Sequence, residues 1–376
     1  MEPMTRSRRS LCTVAALTAV TFAVTGCDAV TSDGPDVGGD ASVDEGFSIG
    51  LLLPESQIAR YEAFDRPYFE EAIDELCPAC DVQYQNADQD TDRQQSQVEA
   101  MLTQDVDVMA LGAVDAEGAG TMVQQAQEQG IPVVAYDRLA EGGVDYFVSF
   151  DNERVGEVQG EALVEALAEE GTTDDGGVVA MHGSPTDPNA ASFKSGAMSV
   201  LDDEVDIATE FDTPEWSTDE AQTQMEQSIT QVGAEDIVGV YSANDGLAGG
   251  IIAALESSGV DELPPVTGQD AELAGIQRII AGEQHMTVYK EIRPQAEAAA
   301  EMAVALATGA DYGEHDELTT ETDEEGNEVD SLLLEPIAVT EENLEETVVA
   351  DGFHEIEDIC TEEYADTDFC TEVDAD

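Results

Sequence analysis

The residues able to do chemistry in this 376-residue chain gather at the ends of apolar, β-branched runs. Asp137 and Arg138 follow PVVAY (132–136), Asn244 and Asp245 follow IVGVYSA (237–243), Gln269 and Asp270 follow PPVTG (264–268), and Lys290 follows MTVY (286–289). In doubly wound sheets ligands sit outside the carboxyl ends of the strands. A hydroxyl both donates and accepts, and a charged partner makes its hydrogen bond roughly twice as strong as a neutral one. Carboxylates, amides and cations converging from separate strands therefore suit a polyol. Taken singly, each of these residues reads as a helix N-cap, and Asp245 is assigned that role. No nucleophile–base pair and no phosphate-binding loop stands out, so catalysis is not expected.

The elements that must position these residues alternate. Strand candidates are Phe47–Leu53, Val82–Asn86, Val106–Leu111, Pro132–Tyr136, Tyr146–Phe150, Val178–His182, Ile207–Phe211, Ile237–Ala243, Pro265–Gly268 and Met286–Tyr289. Amphipathic runs such as Glu117–Glu128, Glu153–Ala168, Thr218–Val232 and Gln295–Thr308 fill the gaps. That alternation predicts an α/β protein with parallel sheets and crossover helices. The strands are too many for one sheet at this length, so two doubly wound lobes are expected. An acidic, turn-rich insertion covers residues 309–330, Leu332–Val339 returns as a strand, and the chain from Asp351 reads as irregular.

The chain carries 12 Lys+Arg against 85 Asp+Glu, a formal net charge of −73. No cationic face can form for a nucleic acid backbone or an anionic membrane surface. Lysine survives only at Lys194 and Lys290. Such a surface fits concentrated salt, where the Debye length shrinks to about 3 Å at 1 M and self-repulsion is screened.

Residues 1–26 read as an export signal: Arg6, Arg8 and Arg9 precede an apolar stretch from Leu11 to Val24. Val24-Thr25-Gly26-Cys27 resembles a bacterial lipobox, in which the Cys27 thiol takes a diacylglycerol. Ser7-Arg8-Arg9-Ser10-Leu11 leaves general and twin-arginine export both open. Residues 27–46, rich in Gly, Asp and Ser, form a tether. An exported compartment permits disulfides, and Cys77, Cys80, Cys360 and Cys370 allow three connectivities. The local pairs Cys77–Cys80 and Cys360–Cys370 are favoured as structural staples.

Long, ordered motifs then resemble the periplasmic sugar-binding proteins of ATP-binding-cassette transporters, most closely those for xylose. They are Tyr136-Asp137-Arg138, YFVSFDNERVGEVQG (146–160), GSPTDPNA (183–190), SANDGLAGG (242–250), GQDAELAGIQRI (268–279), MTVYK (286–290) and DGFHE (351–355). The resemblance runs from about residue 47 to 355. It implies the type I periplasmic binding protein fold, with two lobes joined by three hinge crossings. The first lobe is expected over 47–151 with 289–330, the second over 152–288 with 331–376. The resemblance also implies ligand roles. Arg60 is a cationic donor, and Tyr61 replaces the usual Trp on one sugar face. Asp137 and Arg138 grip ring hydroxyls, and Asn189 supplies an amide. Trp216 covers the opposite face, Asn244 and Asp270 are second-lobe ligands, and Lys290 lies at the hinge. The implied function is capture of D-xylose, with glucose, galactose or arabinose as alternatives, and delivery to a permease with its ATPase. A sensory subunit is the alternative role. The protein is expected to be a monomer without cofactor or metal.

Remaining groups read as structural. Lys194 suits a helix surface, and His182, His285 and His354 lack partners at metal spacing. Asp88-x-Asp90-x-Asp92 with Glu99 resembles a calcium loop, but Arg93 stands where the turn needs Gly, so a helix start is expected.

Overall fold

Strands buried on both faces belong in parallel sheets between helix layers, and VMAL (108–111) and VVAY (133–136) are buried throughout. The structure, a computed structural model, describes residues 41–260, 262–313 and 317–373. The leader, Cys27 and the first part of the tether lie outside the described residues.

The strands are β1 (Ser48–Leu53), β2 (Asp81–Asn86), β3 (Val108–Leu111), β4 (Val133–Tyr136), β5 (Tyr146–Phe150), β6 (Gly177–His182), β7 (Ile207–Asp212), β8 (Ile237–Ser242), β9 (Thr287–Tyr289), β10 (Thr319–Thr322), β11 (Glu328–Leu334) and β12 (Ile337–Val339). One sheet has the order β10-β11-β5-β4-β3-β1-β2, parallel except for the β10–β11 hairpin. The other has β7-β6-β8 in parallel, and β9 pairs antiparallel with β12. This is the type I periplasmic binding protein fold. The chain passes from the first lobe after β5, returns after β9 into helix Ile292–Thr308, which packs on β3, β4 and β5, and leaves again after β11.

Side chains at strand ends start the helices. Asp90, Asp115, Asp151 and Asp187 each accept a backbone N–H of the first turn, which satisfies donors that a helix leaves open. Asp90 therefore opens helix Thr91–Thr103, as expected, while Asp88 meets Arg93 and Ser56. Helices Asn152–Glu170 and Pro188–Glu204 cross so closely that a Cβ on Gly196 would stand 1.9 Å from the Glu153 carbonyl oxygen. That approach fixes the second helix, which carries Asn189 at its start, against the first.

Four expectations need correction. Pro265–Gly268 makes only the bridge Val240–Val266; the prolines at 264 and 265 lack N–H donors. Leu332–Val339 is not one strand, because Glu335-Pro336 separates β11 of the first sheet from β12. The first sheet thus runs to Leu334, beyond the boundary expected at residue 330, and the acidic insertion supplies its edge hairpin. The segment after Asp351 is ordered, not irregular: helices Ile356–Ile359 and Asp368–Val373 pack Ile359, Phe369 and Cys370 into a third apolar cluster. Disulfides join Cys77 to Cys80 and Cys360 to Cys370, the favoured pairing. Lys194 meets Glu210 at 2.5 Å and Asp212 at 3.3 Å on the surface. Among the described residues no helix is long and apolar enough to cross a membrane.

Candidate functional site

Arg60 precedes a single π-helical turn, Tyr61–Asp65, which turns Arg60, Tyr61 and Asp65 inward together. Its guanidinium donates to both oxygens of Asp65, at 3.0 and 2.6 Å, and to Gln295 Oε1 at 2.8 Å. Its Nη1 lies 3.1 Å from Asp137 and 4.0 Å from Asp270. Such a fork fixes direction as well as charge.

Asp137 follows β4 with φ +66°. The Tyr61 hydroxyl donates to its Oδ2 at 2.7 Å and Gln295 to its Oδ1 at 3.3 Å. Burial alone would push this carboxyl up, but Arg60, Lys290, Arg138 and the Tyr61 hydroxyl outweigh it and hold it well below the usual carboxylate range. Burial pushes the Tyr61 phenol up, so it stays a donor.

Arg138 meets Glu55 Oε1 and Asp187 Oδ2, each at 2.9 Å, and donates to the Ala113 carbonyl at 3.1 Å. Asp187 also accepts from the Trp216 indole at 3.1 Å. A Cβ on Gly183 would stand 2.1 Å from that indole ring, so only glycine admits Trp216 there. Asn189 donates to the Asp137 carbonyl at 2.9 Å. Lys290 follows β9 and meets Asp270 Oδ1 at 2.9 Å, with the rings of Phe150 and Phe193 each 5.6 Å away. Asp187, Asn189 and Asp270 belong to the second lobe, Arg138, Asp137 and Arg60 to the first, so these contacts join the two.

Eight of the residues expected at a site are thus linked by direct contacts or through Asp187: Arg60, Tyr61, Asp137, Arg138, Asn189, Trp216, Asp270 and Lys290. Asn244 is not among them. It is the N-cap of helix Asp245–Ser257, its Oδ1 accepting from Leu247 N at 2.9 Å; the cap leaves its Nδ2 unused. The cap assignment for Asp245 is therefore wrong by one residue. Asp245 is buried, accepting from Glu272 N, Gln284 and Thr287 at 2.9, 2.6 and 2.9 Å. Burial pushes its carboxyl up to about 7.

Sequence reasoning missed Glu55, Asp65 and Gln295. Glu55 ends the run after β1, so the strand-end rule reaches it. Asp65 and Gln295 sit inside helical runs, where a buried partner looks like any surface residue.

Two α/β lobes meeting over charged strand ends define a periplasmic binding protein, and residues 49–311 match the family described as periplasmic binding protein domain. The chain belongs to that family, whose members here are binding proteins and not enzymes, as expected. It is 36% identical over 312 residues to the D-xylose-binding periplasmic protein of Escherichia coli (strain K12), covering 81% of this chain and 90% of that one. It is 33% identical to the multiple sugar-binding periplasmic receptor of Rhizobium radiobacter, over 85% of this chain and 93% of that one. A solute-binding protein of an ABC transporter from Clostridium phytofermentans, solved with bound β-D-glucose, superposes with a TM-score of 0.74 at 28% identity, covering 83% of this chain and 99% of that one.

Proposed function

We propose that this protein captures D-xylose between its lobes and delivers it to an ABC permease with its ATPase. The carrying observation is the buried cluster of Arg60, Tyr61, Asp137, Arg138, Asn189, Asp270 and Lys290, drawn from strand and helix ends of both lobes. Its paired donors and acceptors match what a pentose presents: hydroxyls that need both at once. The relative named for D-xylose, similar over most of both chains, supports pentose over other polyols. Closure about the three crossings would bury the sugar and form the surface the permease reads.

Glucose is the second ligand reading, favoured by the glucose-bound structural relative. The relative named a receptor favours the sensory role. Calorimetry of the mature chain with xylose, glucose, galactose and arabinose decides the ligand. Heat with xylose and a shift in the fluorescence of Trp216, the sole tryptophan, are expected. No heat with any of these sugars refutes the assignment, and heat with glucose alone moves it to the second reading.

The anchor belongs to the same proposal: the protein sits on the outer face of the cytoplasmic membrane through lipidated Cys27, as a monomer. A diacylglycerol supplies two chains, enough for stable attachment. Cys27→Ser should leave the protein in the soluble fraction; a variant that still pellets with membranes after a salt wash refutes this.

The charge is read as adaptation to salt. Without residues 1–26 the chain keeps 84 acidic and 9 basic residues, a net −75. Screening of that repulsion should raise the melting temperature between about 0.1 M and 2 M salt. A flat or falling melting temperature across that range refutes the adaptation.

A further inference from the structure

Asp270 and Ala271 both hold positive φ, +88° and +46°, side by side. Residues other than glycine keep that conformation only where their surroundings over-determine it. Here each backbone N–H of the turn is held. Asp270 N–H donates to the Val288 carbonyl at 2.9 Å. Ala271 N–H donates to Thr287 Oγ1 at 3.2 Å, and that hydroxyl donates to Asp245 at 2.9 Å. Glu272 N–H donates to the same Asp245 oxygen at 2.9 Å. The Ala271 carbonyl meets His354 Nε2 at 2.8 Å. A carbonyl can only accept, so this nitrogen carries the proton.

His354 comes from far along the chain, in the segment that precedes the Cys360–Cys370 disulfide. It lies against Phe353 and, edge-on, against Phe64, with ring centroids at 4.9 and 5.7 Å. Phe64 stacks on Phe353 at 4.0 Å. Phe64 belongs to the π-helical turn that carries Tyr61 and Asp65 into the site. The ring that grips the turn is thus seated by the first lobe.

We propose that His354 is a positioning residue: by holding the Ala271 carbonyl it fixes the left-handed turn at Asp270 and so aims the carboxylate that meets Lys290. It touches no ligand. This rests on the reading that Asp270 takes part in sugar binding.

The test is a double-mutant cycle on the full mature chain, read by calorimetry with D-xylose and with D-glucose. His354→Ala should weaken binding roughly 5- to 10-fold, the loss expected of one neutral hydrogen bond. His354→Gln, whose amide N–H can reach the same carbonyl, should stay within about threefold of the parent. In an Asp270→Asn background, His354→Ala should cost less than about twofold, since the group it aims is already gone. If Asp270→Asn leaves affinity unchanged, the site reading fails. If Asp270→Asn weakens binding and His354→Ala does not, or if His354→Ala costs the same in both backgrounds, the positioning role is overturned. Hydrogen exchange of the peptide spanning 268–272 gives a readout without sugar. It should quicken in His354→Ala while the first-lobe sheet is unchanged, and unaltered exchange overturns the proposal even if neither sugar binds. Should His354→Ala not fold, His354→Phe keeps the packing against Phe64, removes the N–H and carries the same measurements.

Discussion

Replacing Lys290 by methionine is expected to weaken sugar binding by roughly 10- to 150-fold, the equivalent of about 1.5–3 kcal/mol for a charged hydrogen bond. The ammonium is buried at the end of β9, pinned to Asp270 at 2.9 Å and flanked by Phe150 and Phe193. Lysine occurs in this chain only at Lys194, on the surface, and at Lys290, buried at this strand end. The competing account is a hinge salt bridge. The partner is Asp270, another candidate ligand, so pairing and binding draw on the same carboxylate. Methionine removes the charge and keeps the apolar stem between the rings. Arg60 stays 4.0 Å from Asp270 and partly compensates it, so the melting temperature should fall modestly while affinity falls strongly. Calorimetry and a thermal melt separate the two: affinity within about threefold of the parent makes Lys290 a structural pair only.

Strand ends were readable because a buried strand must finish where the chain meets the cleft. Hydrophobic runs such as PVVAY and MTVY therefore announced Asp137, Arg138 and Lys290 before any geometry. The family motifs added Arg60, Tyr61, Asn189 and Trp216, which lie on helix starts and loops that no periodicity marks. What stayed hidden was pairing. Asp187 looked like part of a motif, yet it holds both Arg138 and the Trp216 indole. Asn244 took the cap expected of Asp245 because neighbouring residues at a helix start point in different directions, and only backbone conformation decides which one caps. The fold failed to read through where proline intervened. Pro336 ended β11 and moved the chain to another sheet, while apolar residues on both sides imitated one strand. In the acidic insertion, β10 reads TTET and the turn after it is all polar. An edge hairpin exposed to water shows little of the alternation that marks a half-buried strand.

Arg138→Met should destabilise the protein more than any other single change in the cluster, by about 3–5 kcal/mol, the range for stranding a buried charge. Its guanidinium stands between Glu55 and Asp187, both buried and both 2.9 Å away. Burial already pushes both carboxyls up, and Arg138 is the largest influence opposing that. With the guanidinium gone, both would rise further above their unfolded values. Groups raised in this way favour the folded state at low pH and lose that contribution as pH climbs through the folded pKa. The variant should therefore be least impaired near pH 5 and most impaired near pH 8. The parent, with both carboxyls compensated, should show a smaller loss over that window. Glu55→Gln added to Arg138→Met should recover part of the loss at pH 8, since it removes one of the two stranded charges. Thermal melts of parent, single and double variants at both pH values measure this. A single variant impaired equally at the two pH values, or a double variant no better at pH 8, would show that Arg138 acts through packing and its bond to the Ala113 carbonyl, not by neutralising the acids it bridges.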